Sequence, residues 1–134
     1  MSTEMVSPEA WPAAKGYTNG RIGHGNVLHV AGQVGWNAQG QFVVKDLVGQ
    51  FAQALDNVIT VVTAAHGHVN DIAEMTIYVT DIVAYRAARK ELGPVWKAKM
   101  GSFFPAMALI AVSALVEPDA LVEIQAIAYL GHDE

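Results

Sequence analysis

The chain contains no cysteine, which excludes a disulfide scaffold, a thiolate metal site and a cysteine nucleophile. Charge is scarce as well. Charged residues make up 16% of the chain, against roughly a quarter in an ordinary soluble domain. The eight Lys and Arg form no basic run and the net charge is −5, so a broad phosphate-binding surface is not expected and nucleic acid is a poor partner. No apolar run is long enough to span a bilayer. The start, residues 1–15, holds acids and prolines rather than the apolar stretch of a secretory signal. Together with the missing cysteines, this leads us to expect a cytoplasmic protein. The serines at positions 2, 7, 102 and 113 build no G-x-S-x-G elbow, which argues against a serine hydrolase. His24, His29, His66, His68 and His132 show no HxxxH or HExxH spacing, so no metal is expected, nor any cofactor.

What is present is a single-domain length of 134 residues with 52% apolar content, enough for one core without staples. Low charge with abundant Val, Ala, Leu and Ile leaves apolar surface to cover, which favours an oligomer over a tightly packed monomer. Residues 1–15 read as an irregular lead-in around Pro8 and Pro12. Tyr17-Thr18-Asn19 and Val27 to Ala31 read as two short strands, with Gly20, Gly23 and Gly25 as the turn between them. Asn37-Ala38-Gln39-Gly40 is a second turn, and a third strand before the first helix is left open. Asp46 to His66 carries an apolar face at three- and four-residue steps. Asp46 suits the N-cap, and Gly67 suits a left-handed stop. Ile72 to Thr80 alternates as a strand, and Asp81 caps a second helix that Gly93-Pro94 interrupts or kinks. Two strands close the chain, roughly 107–115 and 121–130, joined by a turn at Glu117-Pro118-Asp119. The expected fold is α+β, with two helices layered on one mixed sheet.

The last strand holds the main candidate for chemistry. By period two, Val122, Ile124, Ala126 and Ala128 form an apolar face that should meet the helices. Leu121, Glu123, Gln125, Ile127 and Tyr129 form the other. Pattern alone leaves Glu123 open between a solvated carboxylate and, should a neighbouring subunit cover this face, a desolvated base able to activate water.

Three segments carry a resemblance. Ala31-Gly32-Gln33, Phe104-Pro105-Ala106-Met107 and Leu121-Val122-Glu123-Ile124-Gln125-Ala126-Ile127-Ala128 make the chain similar to the RidA (YjgF) family of small imine and enamine deaminases. The likeness runs from about Tyr17 to Ala128. It implies a chorismate-mutase-like two-layer fold, a homotrimer, and a cleft at each subunit interface. It also implies that Glu123 positions the hydrolytic water, that Tyr17 lines the cleft, and that Gly32 and the backbone near Ala106 shape the pocket. The bland counterparts are a packing aromatic for Tyr17 and a strand bend for Gly32.

The chain departs from that family at three places. Met107 stands where an arginine usually grips the substrate carboxylate, and a thioether makes no charge-assisted fork. Gln125 replaces a second acid, and Ala31 stands where Ser or Thr is common. Met107 therefore reads as a filler of apolar space. Arg89, one turn beyond Tyr85, is the candidate to supply the lost cation, against the plain reading of a solvated helix arginine. Trp36 is a further candidate wall. The resulting expectation is a hydrolase acting on an imine- or enamine-type C=N substrate other than the usual 2-imino acids. A non-catalytic metabolite-binding protein of the same fold is the alternative, and a ribonuclease a weaker one.

Overall fold

A computed structural model describes residues 2–131; His132 lies outside the described residues. The chain opens with a ribbon in which β1 (Thr3–Val6) runs antiparallel to β2 (Gly20–Gly23). Then come β3 (Asn26–Val34), α1 (Leu47–Ala64), β4 (Ile72–Val79), α2 (Ile82–Ala87), α3 (Arg89–Met100), β5 (Ala106–Ala111) and β6 (Val122–Leu130). The last four strands form one mixed sheet in the order β3-β6-β4-β5, with β4 and β5 parallel and the other pairs antiparallel. A parallel pair needs a long crossover, and α2 with α3 supplies it.

All helices pack on one sheet face. Phe51, Ala54, Leu55, Val58 and Val62 of α1 are buried against Met75, Ile77 and Val79 of β4 and Val122, Ile124, Ala126 and Ala128 of β6. Leu92, Trp96 and Met100 add the inner face of α3. The opposite sheet face, carrying Glu123, Gln125, Thr76 and Tyr78, has no helix over it among the described residues. This is the two-layer α+β arrangement expected from the periodicities.

Several local expectations are corrected. The lead-in is not wholly irregular, because Thr3–Val6 forms a strand whose partner, Gly20–Gly23, was read as a turn. Long-range pairing decides this. Ser2 and Thr3 are buried, Ser2 donates to the Asp71 carboxylate, and the Thr3 hydroxyl donates to the Asn70 carbonyl at 3.2 Å. Gly23 is small for a packing reason, since a Cβ there would lie 2.2 Å from the Tyr129 ring. Tyr17–Asn19 is not a strand; only Thr18 makes a bridge, to Ala106. No strand forms between β3 and α1. Asp46 and Asp81 do cap, accepting from the Gly49 and Ala84 amides at 3.0 Å.

The end of α1 is shifted by one residue. His66, not Gly67, takes the left-handed conformation (φ 64°). The Gly67 amide reaches the Val62 carbonyl and the His66 amide the Thr63 carbonyl, both at 2.9 Å, the paired bonds of a Schellman stop. The second helix divides at Ala88 rather than at Gly93-Pro94, and Pro94 lies within α3, so three α-helices are present among the described residues. Strand β5 ends at Ala111 rather than running to 115.

Candidate active site

The sheet register builds one half of the site. Between Val30 and Gln33 the β3–β6 pairing slips by one residue, so Ala31 and Gly32 bulge opposite Gln125. Such a bulge bends the strand and re-aims what lies beside it. Here it brings the Gly32 backbone against Glu123: a Cβ on Gly32 would lie 2.2 Å from Glu123 Oε2 and 2.7 Å from its Cδ. Gln33 Nε2 donates to the Ala31 carbonyl at 3.0 Å across the bulge. Glu123 is partly buried, Gln125 is exposed, and the Tyr78 hydroxyl donates to Gln125 Oε1 at 3.5 Å. The start of β6 is clamped by buried Gln50, which accepts from the Leu121 amide at 2.8 Å and donates to the Asp119 carbonyl at 3.0 Å.

The other half gathers at the start of β5. Residues 103–105 are pinned from several sides. The Thr18 amide donates to the Pro105 carbonyl and the Thr18 hydroxyl to the Phe104 carbonyl, both at 3.1 Å. Arg21 Nε donates to the same Phe104 carbonyl at 3.1 Å, and its guanidinium lies 4.2 Å from the Phe103 ring centroid, a cation–π contact. Burial lowers the Arg21 pKa from its ordinary value. Trp96 Nε1 donates to the Phe103 carbonyl at 3.1 Å, and its ring stacks on Phe104 with centroids 5.5 Å apart. This framework fixes Ala106 and Met107.

Met107 pairs with Met75, which is wholly buried, so its side chain lies on the helix side of the sheet. Three cavities border Met107. One of about 260 Å³ lies toward the open sheet face, beside Tyr17, Thr18, Asn19, Glu74 and Thr76. One of about 170 Å³ lies against Tyr17, Tyr85 and Leu109. The third, about 280 Å³, is lined by Tyr85, Arg89, Lys15, Phe104 and Trp96 as well as Met107. Tyr85 and Arg89 therefore do share one cavity, although Tyr85 belongs to α2 and Arg89 opens α3. Burial raises the Tyr85 pKa, and the Arg89 charge opposes that rise.

The structure thus divides the residues singled out from sequence. Gly32, Glu123 and Gln125 lie together on the open sheet face. Tyr17, Ala106, Met107 and Arg89 lie together at the β5 edge. From the register, Glu123 and Met107 are separated by two strand spacings, with β4 between them, and three residue rows, roughly 14 Å, on opposite faces. Trp36 joins neither group; it lines a separate groove with Gln53 and Asn57. Lys15, Thr18, Arg21 and Glu74 escaped the sequence reading. Lys15 and Arg21 sit in no charge pattern, and Glu74 looks like any polar residue of an alternating strand. Among the described residues no three metal-ligating side chains come together, and no helix is long and apolar enough to cross a membrane.

Comparison with known proteins gives consistent matches. The family described as endoribonuclease L-PSP matches residues 8–130. The 2-iminobutanoate/2-iminopropanoate deaminase of Escherichia coli is 32% identical over 127 residues, covering 94% of this chain and 97% of that protein. A Rid-family protein of Yersinia pestis, YyfB, superimposes with a TM-score of 0.83 at 30% identity, covering 97% of this chain and all of that one. The Escherichia coli YjgF structure gives a TM-score of 0.69 at 32% identity over 95% of this chain and 98% of that one.

Proposed function

The chain belongs to the RidA (YjgF) family, and from that premise we propose that it hydrolyses a C=N bond in a small imine or enamine, at a site completed by a second copy of itself. The observation that carries this is the separation of the two half-sites. A face holding Glu123 and an edge holding Met107 cannot close on one small molecule within a chain when roughly 14 Å and the sheet itself divide them. A neighbour's Glu123 face laid against the β5 edge brings them together. The open sheet face supports such packing, since Val27 and Ile110 are 46% and 44% exposed beside Ile127 and Tyr129. A closed ring of three copies repeats the contact identically.

In that cleft Glu123 is the base. Its carboxylate takes a proton from water as the water oxygen bonds to the imine carbon. Glu123 returns that proton to the nitrogen, giving the neutral carbinolamine. It then takes the proton of the new hydroxyl and passes it to nitrogen, so that the C=O bond forms as the C–N bond breaks and ammonia leaves. The balance is R₂C=NH + H₂O → R₂C=O + NH₃. Gly32 holds the carboxylate in place by leaving room for it. Tyr17, Ala106 and Met107 wall the substrate, Gln125 offers a neutral amide beside the base, and Arg89 supplies the cation that Met107 lacks. The substrate differs from the short 2-imino acids named for the Escherichia coli relative, because a methionine replaces the arginine fork.

A second reading, a metabolite binder without chemistry, is favoured by Met107 and Gln125, each of which removes a charge. Ribonuclease activity, suggested by the family description, finds less support in a chain of net charge −5. Ammonia release from imines generated in situ decides among them. Turnover is expected in the wild type and reduced about 100-fold or more in Glu123→Gln. It should also fade on dilution as the assembly dissociates, followed by light scattering. Saturable ligand binding with no ammonia release supports the binder, and Glu123→Gln turning over like wild type removes the mechanism.

A further inference from the structure

The cavity behind Met107 carries more than a replacement cation. Lys15 reaches it from the segment before β2, and Arg89 from the start of α3. No carboxylate lines it, and among the described residues neither cation has an acidic partner, the ion pair there being Lys99 with Asp56. Two cations brought to one cavity by separate chain segments repel each other and gain from an anion between them. Beneath them the lining is aromatic and apolar. Tyr85, Met107 and Phe104 are partly buried, and Phe104 lies on Trp96 with the ring planes 2° apart. Such a pair offers a ready face for a third ring. The volume, about 280 Å³, exceeds the roughly 150 Å³ that accommodates a benzene ring.

We propose that this cavity selects substrates with a carboxylate and a large, preferably aromatic, side chain: the carboxylate lies between Lys15 and Arg89, and the side chain lies over Met107 onto Phe104. The proposal rests on the hydrolase reading for its reaction and names the substrate class, the 2-imino acids of bulky apolar amino acids. Met107 then has a use. It is apolar floor where the family's arginine would fill the space with charge, so anion recognition moves outward to the rim and the vacated volume takes the side chain. Tyr85, whose pKa burial raises, lines the same wall and carries a hydroxyl.

The test separates binding from chemistry. Phenylpyruvate and pyruvate, the stable keto acids, are titrated by calorimetry against wild type, Lys15→Gln, Arg89→Gln and the double variant. Both residues are exposed, so the fold tolerates the changes. Phenylpyruvate is expected to bind at least about tenfold more tightly than pyruvate. The double variant should lose about tenfold or more of that affinity, and added salt should weaken binding in the wild type but hardly in the double variant. Equal affinity for the two acids, or a double variant that binds like wild type, overturns the proposal. Ammonia release is then measured from the phenyl imine. Cation-dependent phenylpyruvate binding without turnover upholds this site and removes the hydrolase reading instead.

Discussion

Glu123 is placed by two adjacent strands and one bulge, whereas Met107, Tyr85, Arg89 and Lys15 are gathered from four pieces of chain. The first half-site inherits its geometry from the ladder, where a side chain can turn aside only if the register or the bulge changes. The second is a meeting of a loop, a strand edge and two helix segments, and its two cations stand on exposed positions. On the proposed function, chemistry that depends on a fraction of an ångström would sit on the rigid part, and recognition, which can vary with the ligand, on the adjustable part. The face holding Glu123 should therefore tolerate almost no change in activity terms, and the β5 edge should tolerate change by switching substrate.

Four experiments sharpen that contrast, from the largest effect to the smallest. Gly32→Ala places a methyl group 2.2 Å from Glu123 Oε2. The flexible carboxylate end must swing away, so kcat is expected to fall by about 100-fold while the thermal midpoint scarcely moves. A parallel loss of stability would mean that the fold, not the carboxylate, absorbs the clash. Next, Gln50→Leu removes the bonds to Leu121, Asp119 and Val44. Leaving part-buried backbone groups unpaired should cost about 1–3 kcal/mol in urea unfolding. Turnover should drop with it, because Gln50 holds the start of the strand that presents Glu123.

At the edge, Met107→Arg introduces the cation that the resemblance leads one to expect there and fills the apolar floor. The kcat/KM ratio of a short 2-imino acid to its phenyl counterpart is expected to rise about tenfold, with the stability of the sheet little changed. Smallest is the effect of Arg89→Gln on Tyr85. The arginine lowers a phenol pKa that burial raises, so its loss moves the phenol further up, as read by ultraviolet titration against Tyr85→Phe. The sign carries over to folding. The unfolded chain releases this proton first, near pH 10, so stability falls as pH rises through that range, and falls further in the variant.

The ladder half was also the half legible in the sequence. The alternation of residues 121–130 assigns both faces of β6, the repeat from Leu47 to Val62 assigns the buried stripe of α1, and Asp46 and Asp81 announce their helices, all through interactions within a few residues. The bulge at Gly32 leaves no such trace, because it is a relation between β3 and β6. Nor does the pairing of Thr3–Val6 with Gly20–Gly23, which long-range hydrogen bonds at Ser2 and Thr3 secure. Gly23 looked like turn chemistry and is instead the space a tyrosine ring occupies. Lys15 was invisible for the same reason: its meaning comes from Arg89, more than seventy residues away. The choice of His66 over Gly67 for the left-handed stop turned on a one-residue difference in where the last helical bond closes.

Strand β5 has one further consequence. It is an edge of the four-stranded sheet, and among the described residues a neighbouring segment bridges it at its start, Thr18 to Ala106. Its sequence from Ala106 to Ala111 has no charge and no proline, so it lacks the devices that usually discourage strand-to-strand aggregation. A six-residue apolar edge of this kind is the raw material of a cross-β fibril. A newly synthesised chain is thus most at risk of misassociation at the same stretch of backbone that, on the proposed function, a second copy covers and Met107 offers to a ligand. The strand proposed for recognition is the one this chain can least afford to leave bare while waiting on the ribosome.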